Sequence, residues 1–206
     1  MIRFVTVFAI AALALPSVAL ADHHEARHQS GPAGEPADAM TAAHEGAKAD
    51  YLFVWDDAAG KLTGLAEAFP TETYAWRPAE GVRSVGEAFQ HVAASVYLLS
   101  SMMGVGLPAD VPQDMDGLFA MEKKASKPEV TAALAKAFAF GRRTAEQATS
   151  EQLNAKYDFF GNQVSGRAMF MLLSAHLQEH LGQEIAYARS NGVVPPWSRP
   201  QPKADS

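Results

Sequence analysis

The chain has 206 residues, 48% of them hydrophobic, and a formal net charge of −6. That length and apolar share suit one globular domain with a single core. The acidic balance, with no basic helix or Lys/Arg cluster, argues against nucleic-acid binding, and the absence of cysteine excludes disulfides, thiolate metal ligands and thiol nucleophiles.

Residues 1–21 have the layout of a secretory signal peptide. Arg3 supplies a short positive start, an apolar run extends from Phe4 to Leu15, and Pro16 breaks it ahead of Ala19-Leu20-Ala21, a small-x-small cleavage signal. The run is shorter than the ~20 residues a spanning helix needs. Cleavage after Ala21 and a secreted or periplasmic location are therefore expected. No second apolar run of that length follows, so no transmembrane segment is expected in the mature chain.

Residues 22–47 are rich in Ala, Gly, Pro, His and acidic side chains without apolar periodicity, and read as a flexible leader. Cleavage would leave Asp22-His23-His24 at the new N-terminus, a histidine third from a free amine, with His28 and His44 nearby. Such an arrangement can wrap Cu(II) or Ni(II) in square-planar nitrogen, although short His-containing tracts are more often incidental.

From about Lys48 the pattern turns helical. Tyr51, Leu52, Trp55, Leu62, Leu65 and Phe69 fall near one stripe, and the helix stops before Pro70. Ser84 and Glu87 form a capping box for a second helix reaching about Met103, with Ala88, Val92, Ser95, Val96 and Leu99 on its apolar stripe. Gly104, Gly106, Pro108 and Pro112 mark a long irregular connection. Lys127-Pro128-Glu129 opens a third helix running to about Ala148, since proline is favoured in a first turn. Tyr157 to Gln163 reads as a loop. Ser165 opens a last helix to about Ser190, stopped by Asn191-Gly192 and Pro195-Pro196, and residues 198–206 form a loose tail. Four long helical patterns without convincing strand alternation predict an all-α four-helix bundle over residues 48–197.

His176 and His180 stand four apart on the last helix, so both rings leave one face, which also carries Met169, Leu172, Leu173, Gln183 and Tyr187. Such a pair brings two imidazole nitrogens to one ion without straining the helix. His91 lies on the buried stripe of the second helix, and facing helices of a bundle commonly build metal sites from inward side chains. Three separate core histidines, each satisfied by its own hydrogen bond, are the bland alternative. A shared ion would offset the cost of desolvating all three. Gln183 and Glu179 are candidates to touch a ligand or orient a ring, with ordinary surface roles as the alternative. Tyr187 and Arg189 are expected to pack and cap, and Trp55, Trp76 and Trp197 to serve the core or an interface.

The stretch Arg77-Pro78, Gly81-Val82-Arg83-Ser84-Val85-Gly86-Glu87 and His91-Val92-Ala93 resembles the second-helix signature of the DinB family. His176-x-x-x-His180-x-Gly182-Gln183-x-x-x-Tyr187-x-Arg189-x-Asn191-Gly192-Val193-Val194-Pro195-Pro196 resembles its last-helix signature more closely, so the resemblance spans about Tyr51 to Trp197. It implies a DinB-like bundle with up-down-down-up connectivity, often a homodimer. It also implies a divalent metal, nickel or zinc first, on His91, His176 and His180. Three imidazoles suit iron and copper as well. Characterised relatives include thiol-dependent S-transferases and a mycothiol-dependent maleylpyruvate isomerase.

Three protein nitrogens leave a position open to water or an unknown small molecule, as catalytic sites do. The first expectation is thus an exported, metal-dependent enzyme, a thiol transferase by resemblance. Export sits poorly with cytosolic thiol pools. A non-catalytic metal- or ligand-binding protein of the cell envelope is the alternative, and a bundle with a structural metal and a partner-binding surface is a third.

Overall fold

The computed structural model describes the backbone of residues 37–200 and the side chains from Glu45 to Pro200. The expected signal peptide, the Asp22-His23-His24 motif, His28 and the end of the tail lie outside the described residues. Four long helices dominate: α1 (Ala37–Ala68), α2 (Val85–Met102), α4 (Lys127–Gln147) and α6 (Gly166–Ser190). Two short helices, α3 (Met115–Ala120) and α5 (Ser150–Asn154), and a hairpin of β1 (Lys156–Phe159) and β2 (Asn162–Ser165) complete the regular elements, apart from three 3-10 turns.

The caps act where the residue types place them. Ser84 accepts from Glu87 N while Glu87 Oε2 accepts from Ser84 N at 2.7 Å, closing the expected capping box on α2. Ser165 caps α6 through Ala168 N, and Gly192, at φ +70°, supplies the left-handed residue after its end.

Side-chain pairings give the bundle its connectivity. Along α1 and α4 the partners run in opposite senses: Lys48 with Glu146 O, Asp56 with Arg142, and Lys127 with the Glu67 and Phe69 carbonyls. Tyr51 meets Phe170, and Gly64 faces Pro196 beyond the end of α6, so α1 and α6 run parallel. His91 lies against His180 and Ser95 against His176, so α2 and α6 are antiparallel. Gly86 packs on Ala125 and Val96 on Gly141, so α2 and α4 are parallel. Up-down-down-up is the arrangement that satisfies all four pairs, and the long passage between α2 and α4 is what lets two consecutive long helices run the same way.

Helix α2 is buried almost all round. From Val85 to Ser100 every residue but Glu87 is buried, not only the Ala88–Leu99 stripe. A helix apolar on every side belongs inside, and α2 is flanked by α4, α6, α3 and the 3-10 turn Met121–Lys123. Trp55, Leu62, Leu65, Phe69, Phe89, Leu134, Met169 and Leu173 fill the core. No helix among the described residues is long and apolar enough to cross a membrane.

Three expectations change. Helix α1 begins at Ala37, inside the segment read as leader. Residues 37–47 are dominated by alanine, which favours helix without needing an apolar stripe, so a search for periodicity passes over them. The connection after α2 is partly ordered, with Asp114 capping α3 through Gly117 N at 2.7 Å. Residues 157–163 belong to an antiparallel hairpin pairing Lys156 with Ser165 and Phe159 with Asn162. Its two-residue turn, Phe160-Gly161, has both φ values positive, at 50° and 88°, the geometry that matches strand twist. Phenylalanine is an unusual first residue for such a turn, and four-residue strands offer little alternation to read.

Gly86 sets how closely the connection approaches α2. A Cβ at this position would collide with the Ala125 carbonyl, which is backbone and cannot swing aside. Gly86→Ala is expected to destabilise the fold by about 1–3 kcal/mol or more, read as a lower denaturation midpoint with an unchanged m-value.

Candidate metal centre

His91 projects from α2 one turn before Ser95, and His176 and His180 project from the facing side of α6. The antiparallel packing brings the three together. Each ring offers a nitrogen such that the three atoms lie within 4.8 Å of one another. The ring centroids are 5.1, 4.8 and 4.4 Å apart, all three pairs edge to face. His180 is buried, and the His91 and His176 side chains are 11% and 25% exposed, so the cluster opens to solvent beside His176.

Two rings are held from behind. His91 Nδ1 lies 2.8 Å from Glu122 Oε1, and Arg83 grips the same carboxylate through Nε at 2.7 Å and Nη2 at 3.1 Å. His180 Nδ1 lies 2.8 Å from Gln183 Oε1. A carboxylate and an amide oxygen only accept, so both Nδ1 atoms carry the proton and both Nε2 lone pairs are left to the cluster. The His180 arm continues: Gln183 Nε2 donates to Tyr187 Oη at 2.8 Å, and Tyr187 donates to the Arg83 carbonyl at 3.2 Å. This relay sets the orientation of the Gln183 amide. His176 differs, with Nε2 2.9 Å from Ser95 Oγ and Nδ1 4.0 Å from the exposed Glu179 carboxylate.

Burial favours the neutral form of two of the rings. Burial, then the neighbouring His180, His91 and Arg83, push the His176 pKa down to about 3. Burial also lowers His180, against an opposing hydrogen bond to Gln183. Burial acts to raise the Glu122 carboxyl, but hydrogen bonds from His91 and Arg83, and their charge, outweigh it and hold the pKa at about 2. Neutral imidazoles are the form that ligates a metal, and the anchored Glu122 remains ionised to polarise His91. The donor set therefore fits a divalent ion, leaving coordination positions that no protein atom is obliged to fill.

All three sequence-predicted histidines meet here, and Gln183 takes the orienting role. Tyr187 does more than pack, since it steadies Gln183. Arg189 and Glu179 stay exposed at the edge. The roles of Glu122 and Arg83 and the contact of Ser95 come from the structure alone. Glu122 stands 31 residues from His91, in a connection without periodicity, and no spacing rule points to it. A cleft of about 290 Å³ lined by Arg77, Arg83, Phe119 and Glu122 shares the Arg83–Glu122 pair with this anchor, and none of the three histidines lines it. Removal of the anchoring carboxylate by Glu122→Ala is expected to weaken metal affinity roughly 10–100-fold, measured by competition with a chromophoric chelator.

The comparisons with known proteins agree with this architecture. The uncharacterized protein YjoA of Bacillus subtilis (strain 168) is 28% identical over 134 residues, which is 62% of this chain and 80% of that protein. A crystal structure of a DinB-like protein from Bacillus cereus ATCC 10987 superposes with a TM-score of 0.59 at 18% identity, covering 71% of this chain and 93% of that one. The crystal structure of YjoA gives 0.56 at 23% identity, covering 70% and 93%. These two show a shared fold. The family model of the DinB superfamily matches residues 55–183, a span that contains the bundle core and all three clustered histidines, and the chain belongs to that superfamily.

Proposed function

We propose that the protein is an exported metal-binding protein in which His91, His176 and His180 hold one divalent ion, zinc or nickel first, and leave a position open to a small molecule. The observation that supports this best is the cluster itself: three imidazoles within 4.8 Å, two pinned through Nδ1 so that their remaining nitrogens converge. Bound there, the ion would act as a Lewis acid, lowering the pKa of a water or thiol in the open position. The protein's own part is to orient the rings and, at His176 and His180, to keep them neutral by burial. Glu122 and Gln183 orient two of the rings from behind, and the buried walls of α2 and α6 limit access to the His176 side. Metal-dependent transfer onto a small thiol is the activity that membership in the superfamily suggests, and export rests on the N-terminal pattern alone.

The test is elemental analysis of the purified protein. About one equivalent of a divalent transition metal is expected in the wild type and almost none in His180→Ala. A wild type that neither retains nor takes up metal would sink the proposal.

A further inference from the structure

His176 is the histidine without an acceptor-only partner at Nδ1, and its partner on the other nitrogen is of a different kind. Ser95 Oγ sits 2.9 Å from Nε2. Ser95 is 6% exposed and one turn after His91 on the same face of α2. A hydroxyl both donates and accepts, unlike the carboxylate and amide oxygens that anchor the other two rings. The exposed Glu179 carboxylate lies 4.0 Å from His176 Nδ1, too far for a hydrogen bond, so Ser95 is the hydrogen-bond partner of this ring. With the proton on Nδ1, the tautomer that metal binding through Nε2 requires, the Nε2 lone pair faces Ser95 and accepts its O–H. In that tautomer Nε2 is the His176 nitrogen with a lone pair for a cation, and the serine proton stands on it.

When Nε2 gives its lone pair to an ion, the Ser95 proton must find another acceptor. The hydroxyl is buried, its backbone is fixed in the middle of α2, and it borders the solvent-open His176 side of the cluster. We infer that Ser95 is a positioning residue for the exogenous ligand, donating its O–H to an anionic oxygen, sulfur or nitrogen atom that enters the open coordination position. The inference rests on the metal reading above. A hydrogen bond to a charged acceptor is the stronger kind, so Ser95 favours anionic ligands over neutral ones of similar size.

The test uses the full chain loaded with Co(II), whose visible spectrum reports the coordination sphere, and azide as the anionic probe. Wild type, Ser95→Ala and Ser95→Thr are compared. The alanine variant is expected to keep one equivalent of cobalt and to bind azide roughly ten-fold or more weakly, while threonine, which retains the hydroxyl, restores most of the affinity. Unchanged azide affinity in the alanine variant, with cobalt retained, would overturn the role of Ser95. Loss of cobalt from that variant would also overturn it, by making Ser95 a ligand or a structural support. A wild type that takes up no cobalt would remove the metal reading itself.

Discussion

Adding zinc or nickel to metal-stripped protein is expected to raise its melting temperature by roughly 8–16 °C once the free ion stands about 1,000-fold above its dissociation constant. The reason is mass action: at the proposed site the ion would bind three imidazoles that only the folded bundle assembles, because His91 and His180 come from helices separated by the whole of α4 and the hairpin. His180→Ala is expected to abolish most of the shift, since it removes a buried ligand whose orientation is set by Gln183. Glu179→Ala, at an exposed neighbour, is expected to leave it in place. Differential scanning fluorimetry with and without the ion reads both outcomes, and an equal shift in wild type and His180→Ala would locate the metal elsewhere. His176 also gives the stability of the fold itself a pH course. The His176 pKa falls from 6.5 in the unfolded chain to about 3 in the fold. Its contribution to stability is therefore complete above 6.5 and is lost as pH falls from there toward 3. Over the same range this ring stays neutral where an exposed imidazole would already be protonated.

Glu184→Leu is expected to stabilise the protein by about 1–4 kcal/mol, or roughly 2–16 °C. Glu184 lies one turn beyond His180 on α6 with 0% exposure, and neither carboxyl oxygen has a hydrogen-bond partner. Leu177, Leu181 and Ala188 on the same helix are buried around it. Burial pushes its pKa well above the ordinary 4.5, because an unpaired carboxylate in an apolar setting costs more than a neutral acid. The sign is opposite to that of His176. The folded state holds the proton more tightly than the unfolded chain, so this contribution is fully present below 4.5 and declines as pH rises through the folded value. The advantage of Glu184→Leu over wild type should therefore widen from pH 4 upward. Glu184→Gln should flatten the pH course while keeping a buried polar group. Urea denaturation at several pH values measures all three. A leucine variant less stable than wild type would show that the carboxyl has a stabilising partner in solution.

Much of the bundle is legible along the chain because it is written in local rules. Ser84 with Glu87, Pro128 in a first turn, Ser165 as a cap and Gly192 as a stop each act within a few residues. The spacing of His176 and His180 needs nothing beyond helical geometry to share a face. His91 follows from its place on an apolar stripe together with the family signature. The start of α1 is not legible because alanine builds helix without leaving a stripe, and the Phe160-Gly161 hairpin is not because its strands are too short to alternate visibly. Glu184 stands four residues after His180 on α6, but periodicity alone does not reveal that a carboxyl has no partner.

The three histidines, the helices that carry them and the faces they occupy were thus determined by the sequence itself, since period and capping are properties of neighbours in the chain. What tertiary structure decided is which polar atoms meet. Glu122 reaches His91 only because the α2–α4 connection folds back past Gly86, and Ser95 meets His176 across 81 residues only because α2 and α6 run antiparallel. Tyr187 finds the Arg83 carbonyl across 104 residues for the same reason. Hydrogen bonds demand atoms within about 3 Å, and over such separations that is set by the path of the chain and the pairing of helices, not by any pattern along it.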